Sequence, residues 1–162
     1  MKFTKKTDYA LRTMQFLARQ HFQGEGSPVP VPVAFISEQS HLSMRFLQGI
    51  VSRLSKAKLL RTSPGVKGGI SLARKPEAIS ILDIVEAVEG RINLMGCLEH
   101  PEYCGDSRQC SIIGVMHSAQ SALVATLANT NLKLMVNARQ DPLHRLPEKQ
   151  FLKPQIDCPV LK

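Results

Sequence analysis

No Cys-x-x-Cys pair occurs in the 162 residues, although the chain has four cysteines. A lone zinc is usually gripped by such paired knuckles, and thiol oxidoreductases use one, so both chemistries are disfavoured. No nucleophile with a base and an orienting partner can be assembled either, which leaves an enzyme without a candidate site. Long apolar runs are missing as well: the longest, Ile112 to Met116 and Ala122 to Ala128, fall far short of the roughly 20 residues a membrane helix needs. The start is basic, as a signal peptide would be, but Asp8 and Arg12 interrupt the stretch that should be apolar. The expectation is a cytoplasmic protein with no membrane partner. In that reducing compartment its cysteines serve a metal or a redox sensor rather than disulfides.

Acidic residues are scarce in the first half only. Residues 1 to 75 carry 13 Lys and Arg against 3 Asp and Glu, a balance of +10, whereas residues 76 to 162 carry 8 against 10, a balance of −2. The length suits one domain with a smaller appendage, and the asymmetry suggests that the first half alone faces a polyanion. Nucleic acid leads. A membrane-binding segment would instead concentrate its cations on one amphipathic helix, and here they are spread over several elements.

Ala10, Leu11, Met14, Leu17, Ala18 and His21 recur at helical spacing, predicting a helix over residues 7 to 22 with Thr4 or Thr7 as its cap. Asp8 in its first turn suits the positive end of the dipole, and Arg12 four residues on offers an ordinary ion pair. The Gly- and Pro-rich run from Gly24 to Pro32 makes an extended connector. A short helix over Val33 to Ser40, a break at His41-Leu42 and a second helix from Ser43 read as helix, turn, helix. In that second helix Leu47, Ile50, Val51 and Leu54 form the buried stripe and Ser43 the N-cap, leaving Arg45, Gln48, Ser52, Arg53 and Lys56 away from the core. Such a face fits a major groove or an ordinary solvated surface.

Leu59 to Ser63 and Gly69 to Leu72, around Pro64-Gly65-Val66-Lys67-Gly68, predict a β-hairpin. A hairpin after a helix-turn-helix is the layout of a winged helix, with Arg61 and Lys67 placed to meet the DNA. Ile79 to Glu89 is a further helix, with Asp83, Glu86 and Glu89 as an acidic outer face and Gly90 as its end. Ser111 to about Asn137 reads as one helix of roughly 40 Å, too long for a small head to cover, so a second copy is expected to cover it. The fold class is mainly α with a small β-hairpin wing. The expected divisions are a DNA-binding head (1–90), a cysteine loop (91–110), a dimerisation helix (111–137) and an extended tail (138–162).

Cys97, Cys104 and Cys110 lie in that loop, with Pro101 and Gly105 inside it. Intervals of six and five residues keep the sulfurs off any single helix and let the backbone wrap an object wider than one ion. Soft thiolates in that arrangement suit an iron–sulfur cluster; redox-sensing thiols and buried apolar cysteines are the alternatives. Cys158, in the proline-punctuated tail, reads as a free thiol.

Taken together, Met1 to Thr4 with Thr7-Asp8-Tyr9-Ala10-Leu11-Arg12, Leu42-Ser43 leading to Arg53-Leu54, Gly68-Gly69-Ile70, and three cysteines before a long helix resemble the Rrf2 family of bacterial winged-helix regulators. The family includes iron–sulfur regulators and a nitric-oxide-sensing type. The resemblance implies a homodimer on an inverted-repeat operator in double-stranded DNA, acting as a repressor, with a cluster held by Cys97, Cys104 and Cys110. Three departures stand out. Pro64 replaces the arginine that often precedes the wing glycine, leaving the wing to Arg61 or Lys67. The first cysteine interval is one residue longer than usual. Ile113 stands where the two-iron type has its histidine, and His117 is too far along the helix to replace it. Similarity to the nitric-oxide-sensing type at Asp8 favours a 4Fe-4S cluster with Asp8 reaching across the dimer, ahead of His100, a small-molecule ligand or a 2Fe-2S cluster. A regulator of the same fold without a cluster, working through thiol oxidation or a partner protein, is the alternative.

Overall fold

The computed structural model describes residues 3–24, 28–40, 42–65, 68–100, 102 and 110–137. Helix α1 spans Lys5–Gln23, and Thr4 caps it by accepting from the Lys6 N–H at 3.2 Å. Thr7, the other expected cap, is buried within the first turn instead. Helix α2 spans Val33–Ser40 and α3 spans Met44–Lys56, joined through Leu42 and Ser43, with His41 outside the described residues. Leu47, Ile50, Val51 and Leu54 are buried as the helical period requires.

Strands β1 (Leu60–Ser63) and β2 (Gly69–Leu72) pair antiparallel in the register Leu60 with Leu72 and Ser63 with Gly69. Val31, in the Pro-rich connector, exchanges two backbone hydrogen bonds with Ile70, so the hairpin is pinned from behind. A Cβ at Gly69 would lie 2.2 Å from the Val31 carbonyl oxygen, which only glycine avoids. A 3₁₀ turn at Pro76–Ala78 leads to α4 (Ile81–Glu89), opened by a reciprocal capping box between Ser80 and Asp83 and closed by Gly90 at φ 86°. Ile81, Ile84, Val85 and Val88 of α4 join Ala10, Met14 and Leu17 of α1 and the α3 stripe in one core.

Beyond α4 the chain departs from expectation twice. A four-residue helix, α5 (Gly96–Glu99), carries Cys97. The single helix expected from Ser111 to Asn137 is two: α6 (Ser111–Asn129) and α7 (Leu132–Asn137). The break has a tertiary cause. Asn131 forms a β-bridge with Ser80, the Leu132 N–H bonds to the Ile79 carbonyl at 3.0 Å, and the Leu132 side chain is fully buried. Docking α7 onto the head costs the helix its continuity, so α6 is about 28 Å long rather than 40 Å.

No residue of α6 is fully buried. Leu123, Val124 and Leu127 pack on the head, while Ile112 is 59% and Val115 69% exposed. With 19 residues, no charged side chain and a mean hydropathy of 1.3, α6 is also the one stretch among the described residues that could cross a membrane by length and composition. Gln120 on α6 accepts from the Leu94 N–H at 2.9 Å, which ties it to the chain entering α5.

Candidate nucleic-acid interface and cysteine site

Ser43 caps α3, its hydroxyl accepting from the Phe46 N–H at 3.3 Å. With the apolar stripe turned inward, Arg45, Gln48, Ser52 and Lys56 recur every three or four residues on the outer face, all exposed. Arg53 is exposed but not free: its guanidinium donates to the Val88 carbonyl at 3.3 Å, in the last turn of α4. It therefore braces α3 against α4 as well as bearing charge outward. Arg61 is exposed on β1; Lys67 lies outside the described residues. Pro64 is exposed at the end of β1.

One neighbour was not apparent from the sequence. Lys6, in the first turn of α1, meets α3 across a cleft of about 430 Å³ also lined by Ser43, Arg45, Phe46, Gly49 and Arg53. Tyr9 and Phe46 hold the two helices together, their rings edge to face at 5.6 Å. The only trace of this in the sequence is the basic excess of the first half. A second open cleft, sharing Gly49 and Arg53 with the first and continuing toward the C-terminal end of α3, is also lined by Ser52 and Lys56.

Cys97 on α5 and Cys110, the residue capping α6, are both half-buried free thiols on helices that pack against each other. Cys104 and Cys158 lie outside the described residues. Among the described residues no three His, Cys, Asp or Glu side chains converge on one point. The donor chemistry fits an iron–sulfur cluster to the extent that two soft ligands stand on adjoining elements, one at the start of a 19-residue helix whose positive end suits an anionic group. Asn93 fastens α5, donating to the Glu99 carboxylate at 2.7 Å. His100 in the same segment contacts Glu102 at 3.1 Å. Ile113 is half-buried and His117 exposed on α6.

Asp8 is exposed on α1 and accepts from the Arg12 Nε at 2.9 Å, the ordinary i,i+4 pair. Glu89, expected on an acidic outer face, is engaged instead: it accepts from the Thr4 and Thr7 hydroxyls and from the Thr4 N–H at 3.1 Å. Those bonds, the Thr4 hydroxyl first, hold its carboxyl below the usual carboxylate range against the opposing effect of burial.

A capped helix with a basic outer face, a short helix before it and a pinned hairpin after it define a winged helix-turn-helix DNA-binding protein. The chain belongs to the Rrf2 family, described as "Iron-dependent Transcriptional regulator", whose profile matches residues 3–138. It is similar to the HTH-type transcriptional regulator NsrR of Bacillus subtilis (strain 168), at 31% identity over 151 residues, 93% of this chain and 100% of the relative. It is also similar to the HTH-type transcriptional regulator IscR of Aliivibrio salmonicida, at 30% identity over 138 residues, covering 85% and 79%. Among solved structures, CymR, the global cysteine regulator of B. subtilis, aligns with a TM-score of 0.66 at 27% identity, over 85% of this chain and 97% of its own. The chain is thus a DNA-binding transcription regulator, of a family that is not enzymatic.

Proposed function

We propose that the protein is a homodimeric, cytoplasmic repressor whose affinity for an inverted-repeat operator is set by an iron–sulfur cluster on Cys97, Cys104 and Cys110. The observation that carries this is the placing of Cys97 and Cys110 on packed neighbouring helices within a chain matching an iron-dependent family. Residues 1–90 form the head, 91–110 the sensing loop and 111–137 the dimer contact, with 138–162 as a tail. Ser43, Arg45, Gln48, Ser52, Arg53 and Lys56 face the major groove, and Arg61 and Lys67 the backbone or minor groove beside it.

The fourth ligand is Asp8 of the other subunit, which favours a 4Fe-4S over a 2Fe-2S cluster. A bound cluster supplies the redox and nitric-oxide reactivity; the chain's residues convert its state into geometry. Arg12 engages only the Oδ1 of Asp8, which leaves its Oδ2 to serve as a ligand while Arg12 orients the carboxylate. With Cys97, Cys104 and Cys110 of one subunit and Asp8 of the other holding one cluster, the spacing of the two heads would be fixed. Half-sites lie about one DNA turn apart, and a small change in spacing then alters affinity. The exposed apolar side of α6 meets its second copy rather than lipid, which leaves the head free to reach DNA.

The likeness to CymR favours a second reading, in which the same fold works without a cluster, through thiol oxidation or a partner protein. Anaerobic purification with absorption spectroscopy and iron and sulfide analysis separates the two. Stoichiometric iron and sulfide supports the cluster; colourless protein with reversibly oxidised thiols supports the alternative.

A further inference from the structure

The cleft between α1 and α3 brings together three cations, Lys6, Arg45 and Arg53, and no carboxylate among the described residues lines it. Glu89, the acid that Lys6 acts on from a distance, lies outside the cleft lining, and its Oε1 already accepts from Thr4 and Thr7. Both walls are held by consecutive residues of α4: Glu89 fastens the start of α1, and the Val88 carbonyl fastens Arg53. Gly49 sits in the middle of α3 and lines the cleft. Glycine is the poorest helix former after proline, yet a Cβ built at Gly49 would meet nothing within 4 Å. No contact with the described residues requires a glycine there, and what it leaves is open space between the cations.

We propose that this cleft seats a backbone phosphate of the DNA, with Lys6 as an anchor on α1 opposite Arg53, with Arg45 on the cleft's edge remaining a base reader, and with Gly49 leaving room for the sugar–phosphate chain. This rests on the DNA-binding reading and extends the interface from α3 and the hairpin to the first turn of α1. Lys6 and Asp8 stand about 200° apart around α1. The same turn would therefore hold DNA on one side and serve the other subunit on the opposite side.

The test is operator and random-duplex affinity of the full chain as a function of salt. Lys6→Ala should lower the slope of log affinity against log salt by about one per subunit. Its affinity loss should be alike for operator and random sequence, about 3.5-fold per subunit more at 50 mM than at 200 mM salt. Lys5→Ala, on the neighbouring exposed lysine outside the cleft, should leave the slope unchanged. Gly49→Leu should fill the space and weaken both duplexes without lowering the thermal unfolding midpoint. A wild-type slope in Lys6→Ala, or wild-type affinity in Gly49→Leu, would overturn the proposal. So would Lys6-dependent calorimetric binding of inorganic phosphate, at constant ionic strength, without any effect of Lys6 on DNA. Failure of the wild-type chain to bind either duplex would instead refute the DNA-binding reading beneath it.

Discussion

Glu89, the last residue of α4, accepts a hydrogen bond from the hydroxyl of Thr7, a buried residue in the first turn of α1 and 82 positions earlier in the chain. Its carboxylate stands at the negative end of its own helix, an unfavourable place, but at the positive end of α1, a favourable one. The Thr4 hydroxyl and N–H complete the clamp, so the chain that leaves α4 for the cysteine loop is tied to the start of α1.

That clamp should be visible in the pH dependence of stability. Glu89 is held below the usual carboxylate range, so its contribution is fully present above the unfolded value of about 4.3 and is lost as pH falls through the lower folded value. Glu89→Gln should destabilise the protein by about 1 kcal/mol at pH 7, a figure already reduced for solvent screening of an exposed group. Urea titrations of both proteins should converge at acidic pH. A gap that stays constant down to pH 3 would mean the carboxylate charge is not what matters.

On α3, Arg45→Ala and Gln48→Ala should narrow the preference for the operator over point-mutated operators, each by about 1 to 3 kcal/mol where a base contact is lost. Arg53→Ala should differ from both. It loses the hydrogen bond to Val88 and so should lower the unfolding midpoint as well as DNA affinity. Fluorescence anisotropy over an operator panel, with thermal melts, distinguishes them. An Arg45 variant with unchanged discrimination would remove it from the base-reading set.

Ile112 and Val115 stand on the uncovered side of α6, and a charge there should be tolerated in a lone chain but not in a packed seam. Val115→Glu should convert dimers to monomers in sedimentation experiments and weaken binding to a two-half-site operator far more than to a half-site. Unchanged dimers would place the contact elsewhere.

The head was legible because its periodicity is clean. The apolar stripes of α3 and α4 read from the sequence are the residues the structure buries, as are Ala10, Met14, Leu17 and Ala18 of α1. Leu11 and His21, by contrast, are only half-buried, and Thr7 and Thr13 are buried beside the stripe. The Ser43 cap and Gly90 stop are where local chemistry puts them. What was not legible depends on distant partners. The break between α6 and α7 carries no Gly or Pro; it comes from Asn131 and Leu132 meeting Ser80 and Ile79 about 50 residues away, which local pattern cannot reveal. α5 is a single turn, too short for a period. Glu89 looked like a solvated charge and Lys6 carried no signal of its own; only the packing of α1 on α3 and α4 gives them neighbours. The Asp8–Arg12 pair was legible, since its spacing alone brings the two side chains together.

Asp8→Ala separates the two roles of that pair. As a ligand across the dimer, its loss should change the cluster's absorption or speed its decay under air, and should uncouple operator affinity from cluster state while leaving the fold intact. As only the partner of Arg12, its loss should cost a little stability and nothing else. Mixed dimers of an Asp8→Ala subunit with one lacking the three cysteines should keep one intact site if the ligand crosses over.

The central measurement is operator affinity of the anaerobic protein with and without cluster, alongside single Ser variants at Cys97, Cys104, Cys110 and Cys158. The expected result is that loss of the cluster changes affinity by at least tenfold. Each of the first three variants should be fixed at the cluster-free value, and Cys158→Ser should behave as wild type. Equal affinity in both states, or a full cluster retained after replacing Cys97, Cys104 or Cys110, would contradict a regulator governed by a cluster in this loop.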